Sequence, residues 1–297
     1  MAALSRGTIF PADLVTEMFN KVKGKSSLAK LAPAEPMPFT GKEEVTFSMD
    51  HDVSIVAENG AKVHGGVTAT PVTIIPVKFE YGARVSDEFK YASEEVRLQY
   101  LRAFADGFAK KLARGFDIAA MHGINPYAGT ASTVVGNNHF DYVIQSGNII
   151  TYAAASADAN VDSALAALEA NGYQGTGIAM SPAMRSAIAA LTVSGARKYP
   201  EFAFGATPAT LGAMAMDVNP TVAVALANAT ADKALVGDFS AFKWGYAKEI
   251  PLEIIEYGCP DNDTTAGDLK GHNQVYLRSE AYIGWGILDA NAFALIQ

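Results

Sequence analysis

The side chains able to do chemistry in this 297-residue chain stand at spacings that do not support it. Asp261-Asn262-Asp263-Thr264-Thr265-Ala266 opens like a calcium loop, but its sixth position is Ala where the sharp turn calls for Gly. Its twelfth position is His272 where a bidentate Glu belongs, so the run reads as a surface loop. Cys259 beside Pro260, with His272 downstream, offers a thiol and a base but no activating neighbour, and reads as a structural thiol. The five histidines, His51, His64, His122, His139 and His272, include no i, i+4 pair and read mostly as surface or turn residues. Gly172, Gly175 and Gly177 miss the spacing of a dinucleotide loop, and neither a Walker sequence nor a G-x-S-x-G elbow occurs. The expectation is no catalytic residue, no cofactor and no metal.

Composition sets the class. Hydrophobic residues make up 49% of the chain and charged ones 18%, against about 25% charged in ordinary globular domains. That balance suits a protein whose extra surface is buried between subunits. A net charge of -8 argues against a chain that grips phosphate; enclosing DNA does not require gripping it. A lone cysteine excludes an intrachain disulfide and fits a reducing cytoplasm. No apolar run reaches the roughly 18 to 20 residues of a membrane span, and Arg6 and Asp13 fall where a signal peptide needs an apolar core.

The elements follow from periodicity. Residues 1 to 40 read as an extended arm with a short amphipathic turn around Pro11 to Val22, the basic cluster Lys21, Lys23, Lys25 and Lys30, then Pro33, Pro36 and Pro38. Taken alone, the lysines read as a solvated face. Alternation from Glu44 to Lys78, with Val45, Phe47 and Met49 rising and Val67, Val72, Ile74 and Val77 returning, predicts a long β-hairpin. Its tip runs from Glu58-Asn59-Gly60 to Gly65-Gly66. A long two-stranded hairpin is marginal alone and needs a neighbour to lie on.

Leu98, Leu101, Phe104, Ala105, Phe108, Leu112, Phe116 and Ala119 recur at helical steps, with Glu94 and Glu95 at the start and Gly123 at the stop. The 28 residues from Glu94 to Met121 would span roughly 40 Å. Residues 125 to 158 read as a polar linker with a short strand near Tyr142 to Ile144. Asn160 is expected to cap a helix through Leu168 that ends at Asn171-Gly172.

Three further stretches complete the order. In IAMSPAMRSAIAALTVSGARKY, Ile178 to Tyr199, a strand meets Ser181-Pro182 as N-cap and N1 of a helix closing near Gly195. In LVGDFSAFKWGY, Leu235 to Tyr246, two strands flank a turn. VYLRSEAYIGWGILDANAFALI, Val275 to Ile296, alternates as one long strand to Leu288 before its Asn291-Ala292-Phe293-Ala294 ending. Together with the hairpin and long helix, these resemble the tailed-phage major capsid proteins of the Hong Kong 97-like fold, across nearly the whole chain.

The resemblance implies an α+β fold divided into an N-terminal arm (1–40), an extended loop (41–80), a peripheral domain (81–150 with 240–297) and an axial domain (151–239). It implies self-assembly into pentamers and hexamers of an icosahedral shell around double-stranded DNA, in a virion assembled in the host bacterial cytoplasm and without membrane contact. Portal, decoration and separate scaffolding proteins would be partners, the last because no long charged scaffolding segment precedes the arm. The C-terminal strand would run through the peripheral domain. The segment from Tyr199 to Val222 matches the family weakly.

Inter-subunit contacts would fall to Glu58 and Lys62 at the hairpin tip and to Lys21, Lys23 and Lys25 in the arm. Some relatives join a loop lysine to an asparagine of a neighbour. Lys62 and Asn291 occupy comparable places here, but no acid can be placed beside them, so no cross-link is expected. The alternatives are an encapsulin-type nanocompartment shell of the same fold and a soluble α/β enzyme.

Overall fold

In a computed structural model, which describes residues 25–226, 231–248 and 252–297, the alternating run does form a hairpin. Strands β1 (Lys42–Met49) and β2 (Val67–Ile74) pair antiparallel, from Lys42 opposite Ile74 to Met49 opposite Val67. At the tip, Gly60 N donates to the Ala57 carbonyl at 2.8 Å while Asn59 sits at φ 65°, a left-handed position that Asn tolerates. The return ends at Ile74, four residues short of the Lys78 that the sequence suggested. Val77 opens a separate strand, β3 (Val77–Ser86), which pairs along ten residues with a strand near the C-terminus. Pro76, lacking an N–H, separates the two.

The long helix runs from Glu94 to His122. Ser93 caps it by accepting from Val96 N, Glu94 and Glu95 complement its positive end, and Gly123 stops it at φ 65° while donating to the Ala119 carbonyl. From Ala105 one face is buried while Gly107, Lys110, Lys111 and Arg114 stay exposed, the last two turns, Gly115 to His122, are buried all round, and the first turns are largely solvent-facing. The stretch at Tyr142 to Ile144 is a helical turn, Phe140–Val143, rather than a strand, because Phe140 drives into the core and the chain curls over it.

The other strands of the two larger sheets are β4 (Ile149–Ile150), β5 (Gly177–Met180), β6 (Thr210–Leu211), β7 (Met214–Val218), β8 (Ala234–Gly237), β9 (Phe242–Lys248), β10 (Leu252–Ile255), β11 (Gln274–Ile287) and β12 (Phe293–Ile296), and two short pairs, Ile124–Asn125 with Thr130–Ala131 and Thr192–Val193 with Ala196–Arg197, lie outside them. One sheet has the order β6-β7-β5-β8-β12-β4, mixed parallel and antiparallel. The other is antiparallel and centred on β11, with β3 along one edge and β9 and β10 sharing the other. The C-terminus therefore does not continue as one strand. Asp289 caps a turn over Ala290–Ala292, and Phe293–Ile296 crosses into the six-stranded sheet.

Helices Ala157–Ala170 and Pro182–Ala190 pack on that six-stranded sheet. Asn160 lies inside the first of them. Its side chain accepts from Ala153 N and donates to the Thr151 carbonyl, so it pins the incoming chain rather than capping the helix. The second begins at the Ser181-Pro182 pair as expected, but closes at Ala190 instead of near Gly195. There Ser194 and Gly195, both at positive φ, turn Thr192–Val193 back onto Ala196–Arg197.

The main core joins both sheets to the long helix. Trp244 and Trp285 face each other across β9 and β11, and the Phe116 ring lies 5.1 and 5.7 Å from them. Each indole N–H is satisfied, Trp244 by the Ala32 carbonyl and Trp285 by the Asn138 carbonyl, both at 2.9 Å.

Candidate functional site

The feature that calls for a partner is the hairpin. Because side chains alternate across a strand, Val45, Phe47 and Met49 share a face with their cross-strand partners Pro71, Ala69 and Val67. All six are exposed, Phe47 by 70% and Met49 by 78%. Beyond them Val53 and Ile55 are almost wholly in solvent. An apolar face of this extent on a projecting ribbon marks an interface.

The arm and the hairpin root are bound to the β11-centred sheet. Glu35 N donates to the Trp244 carbonyl at 2.9 Å, and Ala34 bridges Trp244. The Glu35 carbonyl sits so close to Gly245 that an added Cβ would fall 1.9 Å from it, which makes Gly a requirement here. Glu35 also meets Lys243 at 2.5 Å and Lys42 at 3.4 Å, and the Lys243 bond holds its carboxyl below the usual range. Lys42 pairs with Glu44 as well.

Where the arm enters, Asp117 of the long helix is fully buried and collects donors. It accepts from Ser26 Oγ at 2.5 Å, Ser27 N at 2.9 Å, Leu28 N at 3.4 Å, Thr221 Oγ1 at 3.0 Å and Asn219 Nδ2 at 3.5 Å. Burial pushes its carboxyl up to about 6 despite these bonds. The residue ties the arm, the long helix and the segment after β7 together.

At the helix end, His122 is enclosed with Asp141 and Asp232, its Nδ1 lying 2.8 Å from one and 3.1 Å from the other. Burial pulls the imidazole down, but the two carboxylates outweigh it and raise His122 to about 10. Burial pushes Asp141 up to about 6 against the pull of His122. The sequence reading placed most histidines on the surface or in turns. This one escaped it because its partners lie 19 residues on and beyond, with no local pattern to connect them.

Of the contact candidates, Glu58 and Lys62 sit exposed at the hairpin tip and enter no ion pair among the described residues. Lys25 is exposed and its carbonyl accepts from Asn219 Nδ2 at 3.0 Å; Lys21 and Lys23, like the turn around Pro11 to Val22, lie outside the described residues. Asn291 is exposed in the turn before β12.

The loop after β10 uses its carboxylates internally. Arg84 holds Asp261 through two 2.6 Å bonds and also donates to the Gly267 carbonyl, keeping the Asp261 carboxyl well below the usual range. Asp263 Oδ1 accepts from Thr265 N and Ala266 N. Cys259 is exposed and donates weakly to the Asp263 carbonyl, while His272 engages the Asp268 carbonyl, so the two form no pair. The arrangement is a braced surface loop.

Comparison with known proteins agrees with this architecture. A family model described as the phage capsid family matches residues 7–297. A solved structure from Mycobacterium phage Ogopogo is 30% identical, with 92% of this chain and 91% of that chain covered and a TM-score of 0.75. One from Gordonia phage Cozz is 24% identical, covering 92% and 86%, with a TM-score of 0.76. A structure described as the capsid of a native GTA particle shares the fold at 16% identity, covering 91% and 89%, with a TM-score of 0.65. No curated protein matches. These relatives favour a phage shell over a nanocompartment. The chain belongs to the phage capsid family and is a major capsid protein of a tailed phage with the Hong Kong 97-like fold.

Proposed function

We propose that this capsid subunit builds pentamers and hexamers of an icosahedral shell in which the β1–β2 hairpin lies across the adjacent subunit. The observation that carries this is the exposed apolar face at Val45, Phe47, Met49 and Val67, which an isolated subunit leaves in water. Repetition of one modest contact through a symmetric shell gives a durable container.

In this reading the arm is 1–40, the extended loop 41–80, the peripheral domain 81–150 with 240–297, and the axial domain 151–239. The crossing of Phe293–Ile296 into the six-stranded sheet favours assigning that last strand to the axial part. Glu58 and Lys62 at the tip, with Lys21, Lys23 and Lys25 of the arm, make charge contacts to neighbours. The shell encloses double-stranded DNA without reading its sequence, consistent with the net charge of -8. A separate scaffolding protein, a portal and decoration proteins complete the particle, which is put together in the host bacterial cytoplasm. In this reading the chain's role is structural rather than catalytic, and Cys259 and His272 do not pair with each other.

Gradient sedimentation and negative-stain microscopy of the purified chain test the proposal. Shells or free pentamers and hexamers are expected. A stable monomer at high concentration would contradict it.

A further inference from the structure

Three titratable groups, two of them buried and the third, Asp141, 24% exposed, converge where the long helix ends. His122 contributes its imidazole, Asp141 comes from the turn at Phe140–Val143, and Asp232 precedes β8. The His122 and Asp232 side chains are 2% and 3% exposed. Their ligating atoms and one oxygen of Asp141 all lie within 4.8 Å of one another.

Hydrogen-bond chemistry fixes the tautomer. His122 Nε2 is 2.9 Å from the Thr221 carbonyl, which can only accept, so Nε2 carries a proton. Nδ1 then faces both carboxylates. If it too is protonated, its one hydrogen goes to Asp141 Oδ2 at 2.8 Å. Asp232 Oδ2, 3.1 Å away and buried, is left outside hydrogen-bond geometry, and Asp141 Oδ1 is left without a partner. One imidazolium against two carboxylates also leaves an excess of negative charge in a cluster where Asp232 is buried and Asp141 only partly exposed, an unfavourable arrangement. A doubly charged cation bound to Nδ1 and both carboxylates removes both deficits.

We propose that His122 Nδ1, Asp141 and Asp232 form a binding site for a divalent transition cation of the zinc class. An imidazole with two carboxylates is a donor set that zinc accepts in four-coordinate geometry. The Nε2–H bond to the Thr221 carbonyl is the outer contact that orients a metal-binding histidine. Tetrahedral zinc places ligand atoms roughly 3.3 Å apart, so the observed 2.8 and 3.1 Å need to open by only a few tenths of an ångström. A cavity of about 10 Å³ bounded by His122, Asp141, Asp232, Phe140 and Leu235 adjoins the three, about the space one water occupies, and supplies the fourth position. Magnesium and calcium, which want six or more oxygens, fit this three-donor apolar setting poorly. The cation clasps the end of the long helix to the lead-in of the six-stranded sheet.

The test uses the full chain, freed of metal by chelator and dialysis, then mixed with zinc or cobalt(II) chloride and gel-filtered. Expected are one zinc per chain by elemental analysis, the visible d–d bands of four-coordinate cobalt, and a thermal midpoint several degrees higher with zinc. Asp232→Asn, which removes a buried charge and so keeps the fold, should weaken zinc binding at least tenfold and abolish the cobalt bands. Failure of the wild-type chain to retain stoichiometric metal or to give those bands overturns the proposal, as does an Asp232→Asn chain that binds zinc as well as wild type.

Discussion

Replacing Phe47 with Asp isolates the contribution of the hairpin face to assembly. Phe47 is 70% exposed in the subunit, and covering that remainder stabilises a contact by about 1 to 2 kcal/mol, given about 1.5–3 kcal/mol for full burial. The new carboxylate adds the cost of desolvating an unpaired charge against an apolar neighbour, about 2 to 3 kcal/mol more. Each contact then weakens by roughly 3 to 5 kcal/mol, or two to four orders of magnitude in its equilibrium constant. Every subunit carries the same loss. Sedimentation at matched concentrations should show Phe47→Asp as unassembled subunits where the wild type forms particles, and Phe47→Leu should restore assembly. The thermal midpoint of the free subunit should not move, because the side chain points away from the core. Particles formed by Phe47→Asp at the wild-type concentration would refute the reasoning, and so would a subunit that melts early.

Other expectations rest on the interior. Asp117 has its folded-state carboxyl raised from 3.8 to about 6, so the folded chain holds a proton that the unfolded chain releases. Subunit stability should therefore fall as pH rises from about 4 through 6, by at most roughly 3 kcal/mol, and chemical denaturation of Asp117→Asn should lose that part of the slope. Gly245→Ala drives a methyl into the Glu35 carbonyl and should cost about 1 to 3 kcal/mol while freeing the arm, seen as faster proteolysis near residues 32–37. Phe116→Ala removes the ring between Trp244 and Trp285 and should cost about 3 to 5 kcal/mol in denaturant titration. Arg84→Ala releases Asp261 and the Gly267 carbonyl, and limited proteolysis should then cut the loop at 258–273.

Local signals explain which parts of this fold were legible. The helix from Glu94 to His122 could be placed within a residue because its period, the acidic pair Glu94 and Glu95 at its start and its Gly123 stop all agree. The hairpin was visible in the alternation at Val45, Phe47 and Met49, but β3 was merged into its return, since Val77, Phe79 and Tyr81 keep the same period and only Pro76 marks the break. Tyr142 to Ile144 has strand-forming side chains, and the burial of Phe140 overrode them. The C-terminal crossing of Phe293–Ile296 depends on pairing with β8, a contact between segments nearly sixty residues apart. His122, Asp141 and Asp232 come from three separate segments of the chain, so no spacing announces them.

The most direct measurement is a cryo-electron microscopy reconstruction of assembled particles with the side chains of residues 42–74 resolved. The account predicts Phe47 and Met49 packed against apolar side chains of an adjacent subunit. Particles in which that face remains open to solvent would contradict it.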